Sequence, residues 1–294
     1  MSLGGGIAIT VAALFSGTVS EVEFSVIVCS IDQRKFTAVN ESYRRALRAA
    51  SWEMIAIHDA KSLAEAYNRG VAQARGRYLV FSHDDIEIVN DDFAALLRAH
   101  LSAFDLIGIA GTSRLAAGKW AAAGDPYIYT LITSPDPQQG TWVTALLGGG
   151  PGLCVPAMQA LDGVFLATTR ELAHAIGFDA ATFDGFHLYD LDFSLRAFQS
   201  GYRLAVCRDI VLIHASTGSY DASWDDYRRR FETKHAAALA PVREAMEGAR
   251  ASFTTRSKDD IRRLCQPARL AQVIARIEEA NADLHDPATH FTLH

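Results

Sequence analysis

Apolar runs of strand length alternate with amphipathic stretches along the first third of the chain. Four such runs predict strands, namely Phe24–Ser30, Glu53–Asp59, Arg77–His83 and Leu106–Ala110. The segments between them carry apolar residues at helical spacing, and Ser62 and Glu65 form a capping box at the start of the second segment. This β-α-β-α-β-α-β order predicts an α/β domain of three layers with a mostly parallel central sheet.

The pattern is less regular in residues 112–156, which are rich in Gly, Pro and Ala. This segment is a functional loop, a surface excursion with its own hairpin, Tyr127–Thr133 and Thr141–Leu147, or both. Regular elements return as three strands and two helices. The strands are Ala160–Thr168, Tyr202–Val206 and Ile210–Ile213, and the helices are Arg170–Ile176 and Leu188–Ser200. From Ser223 onward the pattern is mostly helical.

These patterns predict three parts of the chain. Residues 1–20 form a peripheral segment, 21–222 form the main domain, and 223–294 form a C-terminal helical appendage packed on it. The apolar run Ile7–Phe15 follows no Lys or Arg, so it is an incomplete signal-peptide pattern. It is also too short to span a bilayer as a helix.

Composition restricts the classes of protein to consider. Of the 294 residues, 49% are hydrophobic and 21% are charged, which is typical of a globular protein with an ample core. The net charge of -6 argues against nucleic acid as a partner, and the chain has no Lys/Arg run that would hold an anionic membrane. The four cysteines have no CxxC spacing, so the sequence does not support a zinc site or a redox dithiol, and we expect buried reduced thiols in a cytoplasmic protein. Peripheral contact with the inner membrane and a homodimer are left open.

Polar side chains cluster where the predicted strands and helices begin or end. The clusters are Asp59, His83-Asp84-Asp85, Asp190 with Asp192, and His214. Adjacent carboxylates beyond a buried strand are costly to hold together unless a cation or solvent balances them. Mg²⁺ and Mn²⁺ prefer carboxylates, and Mn²⁺ also accepts an imidazole. The chain has no GxGxxG after the first strand, no GxxxxGK[ST] and no GxSxG, so the common nucleotide-binding and hydrolase motifs are absent.

An ordered series of motifs resembles a known family. The series runs from the Val26-Ile27-Val28 strand and Ile57-His58-Asp59 through Tyr67-Asn68-Arg69-Gly70, Phe81-Ser82-His83-Asp84-Asp85, Leu161-Asp162-Gly163, Tyr189-Asp190-Leu191-Asp192, Gly201-Tyr202-Arg203 and His214 to Gly218-Ser219. Over about residues 24–220 the chain resembles a family 2-type glycosyltransferase of the GT-A fold. It is most similar to the subgroup named for a streptomycin-biosynthesis glycosyltransferase-like domain.

The resemblance implies a donor site and a metal site. Asp59 would contact the nucleotide base or ribose, and Asn68 and Arg69 would line the nucleotide pocket, with helix packing as the alternative for both. Asp84 and Asp85 match the last two positions of the DxD motif, whose last aspartate binds the metal. His83 stands where many relatives have the aspartate that contacts the ribose. His214 matches a metal-binding histidine, with a capped core histidine as the alternative.

On the acceptor side, the resemblance implies that Asp190 deprotonates the acceptor hydroxyl, although Tyr189 replaces the usual glutamate beside it. Asp192 is a second candidate base, or else it compensates the helix dipole. Asp162 lies near the acceptor in relatives, or else it is a turn residue. We expect Trp120 or Trp142, with His187, to border a cleft that has Asp190 on its floor and Asp85 on its far wall.

The implied function is a metal-dependent, inverting transfer of a sugar from a nucleotide sugar to a saccharide or other hydroxyl acceptor. It would serve cell-surface polysaccharide or secondary-metabolite glycosylation, with Mn²⁺ or Mg²⁺ as the cofactor. A UDP-sugar is the first candidate donor, and GDP- and dTDP-sugars are alternatives. Because Tyr189 and His83 depart from the family pattern, a non-catalytic nucleotide-sugar or glycan-binding protein is the second hypothesis. A nucleotidyltransferase would need a Gly-rich first loop bearing Lys or Arg, which this chain lacks.

Overall fold

The structure is a computed structural model that describes residues 21–150, 152–216, 221–241 and 248–282. The predicted peripheral segment 1–20 lies outside the described residues, as does the Gly218-Ser219 motif after His214. Within the described ranges, none of the helices combines the length and the apolar character needed to cross a membrane.

A central sheet of seven strands carries the domain, and its spatial order is β2-β1-β3-β11-β5-β12-β9. Its strands are β1 (Phe24–Cys29), β2 (Trp52–Ile57), β3 (Tyr78–Ser82), β5 (Leu106–Gly108), β9 (Cys154–Pro156), β11 (Phe165–Thr169) and β12 (Leu204–Cys207). Five of the seven strands run in one direction, whereas β11 and β9 are antiparallel to their neighbours. The predicted α/β class and mostly parallel sheet are confirmed.

Helices pack on both faces of this sheet and on a separate apolar cluster beside the second sheet. They are α1 (Gln33–Ala46), α2 (Leu63–Gln73), α3 (Phe93–Ala103), α4 (Arg170–Ile176), α5 (Tyr189–Gln199), α6 (Ala222–Lys234), α7 (Lys258–Leu264) and α8 (Pro267–Ala280). The apolar stripes of α2, α4 and α5 pack on one face, and those of α1 and α3 pack on the other. These two hydrophobic cores fix the strand ends from which the polar side chains project.

A second sheet lies beside the first, in the order β10-β6-β7-β13-β4, with β8 and β14 continuing from β7. Its strands are β4 (Ile86–Ile88), β6 (Ala110–Thr112), β7 (Ile128–Asp136), β8 (Thr141–Leu147), β10 (Ala160–Leu161), β13 (Leu212–His214) and β14 (Ala251–Thr255). The hairpin alternative for residues 112–156 is therefore confirmed by β7 and β8.

Three elements differ from their predictions. The predicted strand Leu106–Ala110 ends at Gly108 in the central sheet, and Ala110 begins β6 of the second sheet. The predicted strand Ala160–Thr168 is interrupted by a turn at Asp162, whose Oδ1 accepts a hydrogen bond from the backbone N–H of Val164 at 2.9 Å. The C-terminal region is not only helical, because β14 pairs with β8. The alternating Phe253 and Thr255 on β14 suit a strand, but the short run is hidden among helical residues in the sequence.

Candidate active site

Three potential metal ligands meet where β3 and β13 end. His214 is the last residue of β13, and its Nε2 lies 3.3 Å from Oδ1 of Asp85. Nδ1 of His83 lies 3.9 Å from the same carboxylate oxygen. One ligand atom from each of the three residues lies within 4.8 Å of the others. The structure thus brings together the predicted ligands Asp85 and His214, and it adds His83, which the sequence assigned to a ribose contact.

The electrostatics of this cluster suit a divalent cation. Burial opposes ionisation of Asp85, but hydrogen bonds from His214 and Ser216 hold the pKa of its carboxyl well below the usual range. Burial, and then repulsion from His214, lower the pKa of His83, which keeps this imidazole neutral and able to ligate. One carboxylate and two imidazoles fit Mn²⁺ better than Mg²⁺, which prefers an octahedron of oxygens.

A cavity of about 350 Å³ opens on the donor side of the cluster. Asp84 lines it, and its Oδ2 accepts a hydrogen bond from Oγ of Ser30 at 2.6 Å. Two exposed apolar side chains, Ile31 at 89% and Phe186 at 54% exposure, also line it. The cavity therefore combines polar groups with apolar side chains, the combination that suits a nucleoside.

Of the other predicted nucleotide contacts, His83 also lines this cavity, whereas Asn68, Arg69 and Asp59 do not. Asn68 instead bonds the backbone of Phe178 twice, with Nδ2 donating to its carbonyl at 2.8 Å and Oδ1 accepting from its N–H at 2.9 Å. The helix-packing alternative is thus correct for Asn68. Arg69 pairs with Asp59 at 2.9 Å, and the Asp59 side chain is 79% exposed. Asp59 lies at the rim, one position before Ala60, which does line the cavity.

A smaller cavity of about 140 Å³ holds the predicted acceptor groups. Asp190, Asp162, Trp120 and His187 all line it. The turn between β10 and β11 positions both carboxylates: Nε1 of Trp120 donates to Asp162 Oδ2 at 2.8 Å, and the Gly163 N–H donates to Asp190 Oδ2 at 2.7 Å. The sequence predicted Asp85 on the far wall of this cavity, but His83 lines the cavity instead. The Asp85 carboxylate lies against His214.

Asp190 is the carboxylate whose protonation is most altered in this cavity. Burial, and then the negative charge of Asp162, raise the pKa of Asp190 to about 7. A carboxylate with such a pKa accepts a proton far more readily near neutral pH than an ordinary aspartate does. Gly163 is required here, because a Cβ would approach the Tyr189 hydroxyl to 2.5 Å and Asp190 Cβ to 2.8 Å.

Two predicted acceptor residues lie elsewhere. The Asp192 side chain is fully buried and bonds Arg196 at 2.8 Å, Lys234 at 2.5 Å and His235 at 2.8 Å. It therefore ties α5 to α6 and is neither a base nor merely a dipole-compensating charge. Trp142 lies on β8 opposite Thr255 of β14 and packs on a separate apolar cluster. It belongs to the second sheet and lines neither cavity.

Sequence reasoning missed the role of Tyr189. Its side chain is buried, and its hydroxyl lies 3.5 Å from Nε2 of His83, so it joins the acceptor cavity to the metal cluster. His83, Phe186 and His187 line both cavities. The sequence did carry a signal, because both His83 and Tyr189 depart from the family pattern. The structure shows that these two side chains are in contact.

Comparison with known proteins defines the family. The profile of a family described as "Glycosyltransferase like family" matches residues 25–235, and the chain belongs to this family. The predicted fold class and enzyme class are thereby confirmed, and the streptomycin-type subgroup stays a prediction. No curated protein sequence matches the chain.

Several solved structures are similar at low identity. A mannosyltransferase, PcManGT from Pyrobaculum calidifontis, in complex with GDP-Man and Mn²⁺, is 13% identical over 90% of this chain and 76% of its own, with a TM-score of 0.42. GalNAc-T7 with UDP, GalNAc and Mn²⁺ is 13% identical over 72% of this chain, with a TM-score of 0.44, and the match spans 48% of that chain. S. aureus TarS is 13% identical over 74% of this chain and 72% of its own, with a TM-score of 0.39.

Proposed function

We propose that the protein is a metal-dependent, inverting glycosyltransferase that moves a sugar from a nucleoside-diphosphate sugar to a hydroxyl acceptor. The observation that carries the proposal is the placement of Asp190, a carboxylate with a pKa near 7, in a cavity that shares the His83 wall with a nucleoside-sized cavity. A donor in the larger cavity would direct its sugar past His83 toward Asp190.

Asp85, His214 and His83 would hold the cation, which when bound supplies positive charge against the diphosphate leaving group. Asp84 and the exposed faces of Ile31 and Phe186 would bind the nucleoside. A UDP-sugar is our first candidate donor, and GDP- and dTDP-sugars are alternatives. Among the similar structures described above, the one with GDP-Man and the one with UDP also contain Mn²⁺.

Asp190 would take the proton of the acceptor hydroxyl as the new glycosidic bond forms. The Gly163 N–H holds Oδ2 of Asp190, which leaves the second oxygen to receive the proton. Asp162, oriented by the Trp120 N–H, adds the negative charge that keeps Asp190 basic. With the base on one side of the anomeric carbon and the leaving group on the other, a single in-line displacement inverts the configuration.

Saccharides suit the acceptor cavity, because Trp120 and Trp224 present aromatic surface beside polar groups. Sugar C–H faces pack on such rings while the hydroxyls form directional hydrogen bonds. A cytoplasmic location, peripheral contact with the inner membrane and a homodimer stay predictions.

The test begins with calorimetry of UDP, GDP and dTDP binding, each with and without Mn²⁺. The donor identified in this way is then incubated with a panel of saccharide acceptors, and the anomeric configuration of the product is read by NMR. We expect Mn²⁺-dependent binding of one nucleotide and a product of inverted configuration. No binding of any nucleotide contradicts the proposal, and a retained configuration contradicts the assigned base.

The second candidate is a non-catalytic nucleotide-sugar or glycan-binding protein. The observation that favours it is the buried Tyr189 in place of a family glutamate, which leaves the acceptor cavity without that carboxylate. Nucleotide binding with neither transfer nor donor hydrolysis across the acceptor panel would support this candidate over the first.

A further inference from the structure

A second cluster of metal-binding side chains lies at the edge of the central sheet. Cys154 on β9 and Cys207 on β12 are directly opposite each other in an antiparallel pair. Their Sγ atoms are 3.0 Å apart, and both are free thiols. Together with the ring of His100, they offer three ligand atoms that all lie within 4.8 Å of one another.

The imidazole of His100 is already oriented for ligation. His100 lies in the last turn of α3, and its Nε2 bonds Oδ1 and Oδ2 of Asp209 at 2.8 and 3.0 Å. With Nε2 held by this carboxylate, Nδ1 is the nitrogen left to bind a metal. A carboxylate behind a ligating histidine is the usual device that fixes the ring and raises its basicity.

This cluster is separate from the candidate active site. In the central sheet, β11, β5 and β12 stand between β3, which leads to Asp85, and the edge strand β9, which carries Cys154. None of the residues Cys154, Cys207, His100 and Asp209 lines either substrate cavity. The proposed transfer reaction therefore makes no use of them.

We propose that Cys154, Cys207 and His100 bind Zn²⁺, with Asp209 as the positioning residue for His100. Two thiolates and an imidazole are the donor set that zinc prefers over Mg²⁺ or Mn²⁺. With Zn–S bonds of about 2.3 Å in a tetrahedron, the two sulfur atoms lie roughly 3.8 Å apart. The two Sγ atoms, which are 3.0 Å apart, would have to move apart only slightly to reach this distance.

Zinc binding at this cluster requires both sulfur atoms as thiolates and His100 with an unprotonated Nδ1, so the site would release protons as the metal binds.

The alternative chemistry for this pair is a disulfide. Both cysteines are free thiols whose Sγ atoms are in contact. A disulfide would use only these two side chains. A zinc ion uses all four side chains, and it would join the end of α3 to the edge of the sheet.

The experiment measures zinc content in an Asp85→Ala/His214→Ala background, which removes the candidate active-site metal. After incubation with Zn²⁺ and gel filtration under reducing conditions, we expect about one zinc per chain by mass spectrometry of the metal. Cys154→Ser should lose it, whereas the matched control Cys265→Ser, at another buried thiol, should keep it. Asp209→Asn should weaken zinc binding by about 10–100-fold.

A second measurement does not depend on the folding of any variant at the cluster. Co²⁺ added to the background protein should produce the thiolate-to-cobalt charge-transfer band and the visible bands of a tetrahedral site. Three results would each overturn the proposal: equal zinc content in Cys154→Ser and Cys265→Ser, cobalt binding without the charge-transfer band, or zinc-free isolated protein that carries a Cys154–Cys207 disulfide.

Discussion

Nε2 of His214 lies 3.3 Å from Oδ1 of Asp85, although the two residues belong to strand ends far apart in the chain. The backbone enforces this contact: His214 is opposite Ile86 in the β13–β4 ladder, and the Ala215 N–H donates to the Asp85 carbonyl at 3.0 Å. The relative placement of the two side chains is therefore set by strand register rather than by a mobile loop.

Replacing Asp85 with alanine should abolish Mn²⁺-dependent nucleotide binding and leave the fold intact, because its carboxylate holds charge at a strand end and fills no apolar core. Calorimetry with and without Mn²⁺ measures the loss. The matched control is Asp91→Ala, an exposed carboxylate outside both cavities. Equal Mn²⁺-dependent affinity in Asp85→Ala and Asp91→Ala would show that Asp85 is not a ligand.

Replacing Asp190 with asparagine should reduce the transfer rate by about 10²–10⁴-fold and leave donor affinity unchanged. The side chain keeps an oxygen for the Gly163 N–H but can no longer take a proton. Single-turnover rates beside nucleotide titrations separate the two effects. An unchanged rate would move the role of base to Asp162, the other carboxylate in the cavity.

The pH dependence of activity and that of stability should run in opposite directions at Asp190. Its pKa is about 7 in the folded protein, so transfer should increase as the pH rises through this value. The folded state also retains a proton that the unfolded state releases, so stability is lost as the pH rises from the ordinary value of 3.8 toward 7.

Asp190→Asn should therefore be more stable than the wild-type protein, by more than about 1 kcal/mol near pH 8, and the difference should vanish near pH 4. Urea unfolding at the two pH values measures it. A variant that is less stable at the higher pH would mean that the buried carboxylate is better solvated than its contacts indicate.

Replacing Asp192 with alanine should destabilise the fold by about 3–5 kcal/mol, because it leaves the buried His235 and the half-buried Arg196 and Lys234 without their shared carboxylate. Asp226→Ala, which breaks exposed ion pairs on α6, is the control and should cost less than about 1 kcal/mol. Denaturant midpoints that coincide for the two variants would contradict the structural role of Asp192.

Replacing Trp120 with phenylalanine should lower kcat/KM for transfer about 10- to 100-fold, because Asp162 loses a hydrogen bond to its carboxylate. Nucleotide affinity should not change, since Trp120 does not line the donor cavity. Trp142→Phe is the matched control on the second sheet and should leave transfer as it is. Equal effects of the two substitutions would place the acceptor elsewhere.

The sequence was sufficient for the elements whose chemistry is local. The apolar run into His83-Asp84-Asp85 predicts a buried strand that ends in polar groups, and the order of motifs identified His214 as its distant partner. The structure adds that His83 lies with Asp85 and His214 in one cluster of potential metal ligands. The residue type at position 83 alone does not predict this contact.

The predicted ligand contacts of Asn68 and Asp192 were wrong because each side chain bonds to residues that are distant in the sequence. Asn68 is a polar helix residue, and its amide could face a ligand or a backbone; the loop at Phe178 decides the outcome. Asp192 is likewise buried because α6 brings Lys234 and His235 to it. Helical spacing fixes the face on which a side chain lies but not the partner that this face will meet.

His83, Phe186 and His187 line both substrate cavities, so one set of atoms contacts both ligands. If binding of the first substrate orders these side chains, the second substrate binds without that entropic cost. By thermodynamic reciprocity, an acceptor that tightens donor binding is itself bound more tightly by the donor-loaded protein, by the same factor. Donor preference measured without an acceptor therefore reports only the contacts that the donor makes while the acceptor cavity is empty.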